Sequence, residues 1–358
     1  MDALILDTTF KPISIVDSFD TFIWTDRYSE YGDFEIYPTL NEKNLTELKE
    51  DYYVVTKDSD HVMIIENLQI DSNVDDNPVL AVTGRSLESI LERRIVWKVT
   101  VLSGKLQDAI KKILDENLIS PEDNARRIEN FIFEESTDEA ITSLELSSEV
   151  QFTGDCVYDV VKVLCDVYNI GFKVTLSDDN KFVFKLYAGV DRSYGQDIHP
   201  YVVFSPKFDN LINSSYLYSK KSLKTVTLVA GEGEGSERTT VTVEATEDVK
   251  TGINRRELYT DARDLSRNVD GGTLTEDEYR STLEARGKEK LSENSEIKSF
   301  DGQSDPEMNF KVGRDYFIGD IVQIENEYGL TAKSRVTEIM FSENSSGFEM
   351  YPTFTKVE

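Results

Sequence analysis

Short apolar runs separated by polar and turn residues dominate both ends of this chain. Over the first hundred residues they predict strands at Leu4–Leu6, Ile13–Asp17, Phe22–Tyr28, Asp33–Tyr37, Tyr52–Thr56, Val62–Ile70 and Val79–Thr83. Thr8-Thr9, Tyr31-Gly32-Asp33 and Asp75-Asp76-Asn77-Pro78 supply turns between them. Many short strands at this spacing predict a barrel or a compact antiparallel sheet. Arg85–Arg94 interrupts them as one short helix, with Leu87, Ile90 and Leu91 as its buried stripe.

The period then lengthens. Ser103 is placed to cap a helix whose Leu106, Ile110, Ile113, Leu114 and Leu118 recur at helical spacing. Strand-like pieces follow at Phe131–Phe133 and Leu144–Phe152. A second helix, Asp155–Tyr168, sets Val157, Val160, Val161, Leu164 and Tyr168 on one face. Gly171–Leu176 and Lys181–Tyr187 read as a hairpin turned by Asp178-Asp179-Asn180. This stretch reads as a small α/β insertion.

Strands resume at Tyr201–Phe204, Ser215–Ser219, Thr225–Val229 and Thr239–Glu244, the last two linked by Gly231-Glu-Gly-Glu-Gly235. Thr275-Glu-Asp-Glu278 is a capping box that opens a polar helix to about Leu291. The stripe of that helix is thin (Tyr279, Leu283, Leu291), so it is expected on a surface or against a partner. From Gly313 to Ile339 the chain reads as a tight turn, a strand, a hairpin turned at Glu327-Tyr328-Gly329 and a second strand. Phe348–Phe354 closes it. Strand content at both ends, with α/β matter between, suggests two barrel-like domains.

Charge adds a constraint. The 358 residues hold 39 Lys and Arg against 68 Asp and Glu, a net charge of −29. Such a surface repels nucleic acid, because affinity for it rests on cations neutralising phosphates. Cys156 and Cys165, the only cysteines, lie nine helical residues apart, about 13.5 Å along the axis. A disulfide needs Cα atoms within about 7 Å, so both are expected as free thiols made in a reducing compartment. Met1–Asp7 lacks a basic flank and does not read as a secretory signal. No run approaches the roughly 18 apolar residues of a membrane span, so a soluble protein is expected.

Candidate chemistry is sparse. Glu134-Glu135, Asp178-Asp179 and Asp75-Asp76 are acid pairs, and a glycosidase needs two carboxylates at a set separation. With 68 acids, such pairs carry almost no information. His61 and His199 are the only histidines, far apart and without neighbours of metal-ligand spacing, and each reads as structural. Asp71-Ser-Asn-Val-Asp75 copies the start of a calcium loop but has Asp76 at the glycine position and Val82 at the terminal glutamate position. Gly231–Gly235 lacks the Gly-Lys-Ser/Thr ending of a phosphate loop, and its glutamates repel phosphate. Arg93-Arg94, Arg126-Arg127 and Arg255-Arg256 are the basic clusters, expected to pair with carboxylates, some of them across a subunit boundary.

Several motifs, in order, resemble those of siphophage tail hub proteins. They are Phe19-Asp-Thr-Phe-Ile-Trp-Thr-Asp-Arg-Tyr-Ser-Glu-Tyr-Gly-Asp-Phe34, Leu80-Ala-Val-Thr-Gly-Arg-Ser-Leu-Glu-Ser-Ile-Leu-Glu-Arg-Arg-Ile95, Phe204-Ser-Pro-Lys-Phe-Asp-Asn-Leu211, Arg255-Arg-Glu257 and the hairpin from Gly313 to Ile339. The resemblance implies a mainly β (α+β) fold like the trimeric baseplate hub of contractile-tailed phages. In that fold two tail-tube-like β-barrel domains per chain frame an inserted α/β domain. On this division residues 1–100 with 200–222 form the first barrel and 101–199 the insertion. Residues 223–358 form the second barrel, with a helical insertion near 275–296.

The function implied is a structural virion protein at the phage tail tip, made and assembled in the host bacterial cytoplasm. As a homotrimer it offers six barrel-like units around a DNA exit channel. It would connect the tail tube or the distal tail protein to tip, fibre or tape-measure proteins, with no specific nucleic-acid binding and no stable membrane insertion. An inner domain narrows the channel before infection, and part of the acidic charge lines it. No catalytic, cofactor-binding or metal-ligating residue is assigned, no cofactor is expected, and no appended wall-degrading domain is expected after the last strand, near Glu358. A tail-associated cell-wall glycan hydrolase and a host-surface receptor-binding protein are the alternatives.

Overall fold

A computed structural model describes the chain apart from residues 73–77, 148, 246–250, 270–271, 304–309, 329–330 and 358. Part of the calcium-like loop, the Asp75-Asp76 pair and Gly329 of the last hairpin turn lie outside the described residues.

Strands from both ends of the chain join in one thirteen-stranded sheet. Its path runs Ile212–Ser219, Ile297–Gln303, Gly347–Lys356, Thr331–Asn344, Phe19–Arg27, Asp33–Pro38, Val79–Ser86, Val62–Asp71, Tyr53–Val55, Ala3–Leu6 and Pro12–Val16. Off this path, Ile321–Glu325 pairs antiparallel with Thr331–Asn344 and parallel with Val203–Phe204. The seam between the two ends is an antiparallel ladder that sets Phe341 opposite Trp24 and Glu338 opposite Arg27. Alternation accounts for the strands. In Val79–Ser86 every second residue from Leu80 is buried, and in Asp33–Pro38 every second residue from Phe34. Those side chains feed one core. Phe22, Trp24, Phe34 and Ile36 meet Phe204, Tyr316, Ile324, Val336 and Phe354 there, so neither end buries its apolar face alone.

Residues 100–187 build a second core against the 3₁₀ helix Leu87–Arg93. Helices Leu106–Leu114 and Val157–Tyr168 pack on a three-stranded sheet in the order Gly171–Leu176, Phe182–Tyr187, Phe131–Glu134. The helical stripe read from the sequence is the buried one: Leu106, Ile110, Ile113, Leu114 and Leu118 are fully covered. Both cysteines are free. Three boundaries differ from the sequence reading. Gly104, at φ +79°, turns the chain between Ser103 and the helix, so Lys105 takes the N-cap position and its side chain makes no cap hydrogen bond. Arg85 and Ser86 stay in the strand, and the helix after them is a 3₁₀ helix. Among the described residues of the expected strand Leu144–Phe152, only Val150–Phe152 forms a strand, and a short helix, Glu139–Thr142, precedes it.

Residues 225–293 form a third small core. Val226–Ala230 lies between Thr240–Glu244, antiparallel, and Glu257–Asp261, parallel. Helix Glu276–Glu293 covers this sheet and opens on the expected capping box of Thr275 and Glu278. It does not lie bare on the surface: Tyr279, Leu283 and Leu291 are buried against Val229, Val241 and Val243.

Candidate functional site

The first segment, the α/β insertion and the C-terminal strands converge on a buried ionic cluster. Asp26 ends an inward-facing run of strand Phe19–Arg27, His61 precedes strand Val62–Asp71, and Glu88 lies in the 3₁₀ helix. All three are buried. Nδ1 of His61 lies 3.3 Å from Oε1 of Glu88. Asp26 accepts from the Trp24 indole at 2.8 Å and from the Ser59 hydroxyl at 2.6 Å. Oε1 of Glu88 also accepts the backbone N–H of Val174 at 2.6 Å, which ties the insertion to the large sheet.

Burial raises the Asp26 carboxyl above the ordinary range, against the pull of the His61 charge. Burial also opposes a charge on His61, but Asp26 and Glu88 overcome it and hold the imidazole at about 9. Glu88 is desolvated too, yet the charge and hydrogen bond of His61 bring it below its usual value. At neutral pH His61 and Glu88 therefore stand as an imidazolium beside a carboxylate. This is no serine triad. The Ser59 hydroxyl donates to Asp26 and accepts the backbone N–H of His61 at 3.0 Å, so the imidazole is not its base.

Beside the cluster lies a cleft of about 1030 Å³ walled by residues 57–61, 187–192 and 311–320. Asp320 holds its floor, accepting the N–H of Val190 at 2.8 Å and Nε of Arg192 at 2.6 Å. Lys57, Lys173, Arg192, Lys311 and Arg314 share the lining with Asp26, Asp58, Asp60 and Asp320, so the two signs nearly balance across the cleft. Tyr28 closes the same junction from another side. Its hydroxyl donates to the carbonyl of Asn169 at 3.2 Å, its ring carries the Arg335 guanidinium at 5.1 Å, and Gly319 packs on it.

Of the acid pairs singled out from the sequence, Glu134-Glu135 and Asp178-Asp179 lie elsewhere, on the surface. Glu134 pairs with Lys185 and Glu135 with Lys111 across neighbouring elements, while Asp179 pairs with its near neighbour Lys181. His199 sits in a loop held by Gln196. Gly231–Gly235 forms the expected hairpin link. Among the described residues no group of three or more His, Cys, Asp or Glu side chains is arranged to hold a metal ion, and no helix is long and apolar enough to cross a membrane. Of the three arginine pairs, two come together: Nε of Arg94 donates to the carbonyl of Arg126 at 2.6 Å. Sequence spacing missed the Asp26–His61–Glu88 cluster, because its members lie on three elements; the only available signal was that His61 precedes an apolar strand.

The fold is that of phage tail proteins. A prophage tail protein, gp18, of Listeria monocytogenes EGD-e superposes with a TM-score of 0.51 at 15% identity, covering 99% of this chain and 94% of that one. The tail protein of Neisseria meningitidis MC58 gives 0.57 at 12% identity, over 99% and 96%. The 43 kDa tail protein of prophage MuSo2 from Shewanella oneidensis gives 0.54 at 12%, over 99% and 98%. No curated protein matches the sequence. Residues 2–354 match the family of the Siphovirus ReqiPepy6 Gp37-like protein, and the chain belongs to that family.

Proposed function

We propose that this tail protein is a non-catalytic structural component of the virion, the trimeric hub of the tail tip. One observation carries the reading. The large sheet joins both ends of the chain around a shared core and ends on two different edges, Pro12–Val16 and Ile212–Ser219, neither of which continues to a further strand among the described residues. Ile13 and Ile15 are exposed on the first edge and Leu217 on the second. Sheet edges demand a cover or a partner strand, and two unlike edges on one chain suit a head-to-tail contact that closes into a ring.

In this reading residues 1–100 with 200–222 form one barrel-like half, and 223–358 the other, from which 225–293 stands out as a compact unit. The ring docks on the tail tube or distal tail protein, carries tip, fibre or tape-measure proteins, and surrounds the DNA exit channel. The excess of carboxylates lines the channel and keeps DNA from adhering. Assembly takes place in the bacterial cytoplasm. The oligomeric mass in solution, followed by a map of the intact tail tip, tests this. A trimer placed at the tip is expected, and a stable monomer absent from virions overturns it.

A further inference from the structure

An arginine cluster in so acidic a chain calls for an explanation. Arg27, Arg85, Arg192, Arg238 and Arg286 each sit on a carboxylate of the same chain. Among the described residues Arg94, Arg126 and Arg127 have no carboxylate within 4.0 Å, and Arg93 reaches Asp51 only at 3.8 Å. The nearby acids are already engaged: Glu92 by Arg85, Glu122 by Lys98, and Asp123 by the N–H of Ala125, which it caps at 2.9 Å. Burial and the neighbouring Arg94 both disfavour the charge on Arg126, and the smaller pull of Asp123, which makes no ion pair with it, does not offset them.

The cluster is also held in place. Arg126 donates to the carbonyl of Ile95 at 2.7 Å and to Oδ1 of Asn117 at 3.3 Å. Asn117 is 2% exposed and accepts the N–H of Trp97 at 3.1 Å through the same oxygen. The guanidinium thereby lies 4.9 Å from the centre of the Trp97 ring, which is 64% exposed. Hollows of about 740 Å³ and about 330 Å³ flank the Trp97–Arg126 pair. Trp97 shares the smaller hollow with Arg93, Arg94 and Arg126, beside Glu92 and Asp123, and Arg127 lines the adjoining hollow with Arg93 and Arg94. An exposed tryptophan stacked by an arginine brings together two residue types enriched at interface hot spots.

We propose that the Trp97–Arg94–Arg126–Arg127 face docks carboxylates on a second copy of this chain, as one contact of the trimer on whose reading this inference rests. The chain itself supplies the complementary surface, with 68 acidic residues against 39 basic. Two such faces repel each other, so they cannot meet across a two-fold axis. The contact runs from this face to a different, acidic face of the neighbour, and repeated contacts of that kind close into a ring.

Subunit exchange between two fluorophore-labelled populations of the full chain tests the proposal, beside sedimentation of the unlabelled protein. Trp97→Ala and Arg127→Glu change exposed side chains and leave the melting temperature unmoved. Each is expected to speed exchange about tenfold or more. Raising the salt from about 0.05 to about 0.5 M speeds exchange of the unaltered protein. A trimer whose exchange is unmoved by both substitutions overturns this docking face and leaves the ring standing. A monomeric unaltered chain overturns both.

Discussion

The Nδ1 of His61 and the Oε1 of Glu88 meet 3.3 Å apart inside the protein, 6% and 0% exposed as residues. That contact joins the large sheet to the 3₁₀ helix, and the second bond of Glu88, from the N–H of Val174, continues it into the insertion. Removing one partner of a buried ion pair strands the other charge, at a cost of about 3–5 kcal/mol. Glu88→Ala is therefore expected to lose about that much in urea unfolding. Glu88→Gln, which retains an acceptor for Val174, loses less. A loss below about 1 kcal/mol for the alanine variant would show that the pair does not hold the junction.

The same pair sets a pH dependence. The imidazole of His61 is raised from 6.5 to about 9, so the folded state holds its proton more tightly than the unfolded chain. The stability this contributes is full below about 6.5 and is lost as pH rises through about 9. Glu88 works in the other direction. Its lowered value contributes stability above the ordinary glutamate range that is lost in acid. Asp26, raised by burial, offsets part of that acid loss, because the folded state takes up its proton early. Melting temperatures measured from pH 7 to 10 should fall, and His61→Gln should fall less steeply. Parallel slopes for the two proteins would remove His61 as the cause.

Asp320 is the staple between the last strands and the end of the insertion. Its carboxylate accepts from Val190, Arg192 and Phe317, and it is 3% exposed. Charge-assisted hydrogen bonds of this kind contribute about 1.5–3 kcal/mol each way. Asp320→Ala is expected to free residues 188–202 for limited proteolysis well before the rest of the chain is cut. Protection equal to that of the unaltered protein would contradict this.

The compact unit at 225–293 has its own test. Gly287 faces the strands, and a Cβ placed there lies 2.5 Å from Cγ2 of Val243 and 2.9 Å from Cγ2 of Val229. Alanine gains about 1 kcal/mol of helix propensity over glycine, but overpacking a tight core costs about 1–3 kcal/mol. Gly287→Ala should therefore speed hydrogen exchange in strands 226–230 and 240–244 and leave the large sheet unchanged. Slower exchange there would mean that the valines move aside freely.

Most strand positions were legible where burial alternates, as in Asp33–Pro38 and Val79–Ser86, but Glu257–Asp261 and Ile297–Gln303 were not, because they lie in a charged segment without a clear apolar alternation. The stripe at Leu106, Ile110, Ile113 and Leu114 was equally plain at a period near 3.6. Helix Glu42–Glu47 was not, since its residues are nearly all polar and only the Asn41 cap marks its start. The tie between Phe341 and Trp24 lies beyond any local pattern, because it joins residues more than three hundred apart and rests on pairing between strand edges. The ionic cluster escaped for the same reason. Asp26, His61 and Glu88 follow no shared spacing, and only the fold brings them together. The arginine pairs were visible, but not that Arg94 and Arg126 would meet without a carboxylate between them.

Gly319 shows what one glycine in the C-terminal segment is for. Its φ is +94°, a backbone region that side chains other than hydrogen rarely adopt, and a Cβ there lies 2.3 Å from Cε2 of Tyr28. Tyr28 cannot swing away cheaply. Its hydroxyl is bonded to Asn169, its ring packs edge-on against Tyr187 at 5.2 Å, and its backbone carbonyl accepts the N–H of Phe172. Gly319→Ala thus carries two costs, about 1–3 kcal/mol of backbone strain and a similar penalty for the clash. A double-mutant cycle separates them. In a Tyr28→Leu background the clash is relieved, and Gly319→Ala should cost only the strain, with a coupling of about 1–3 kcal/mol between the sites. If the two substitutions are additive in urea unfolding, the ring is not what requires glycine at 319, and the backbone angle alone does.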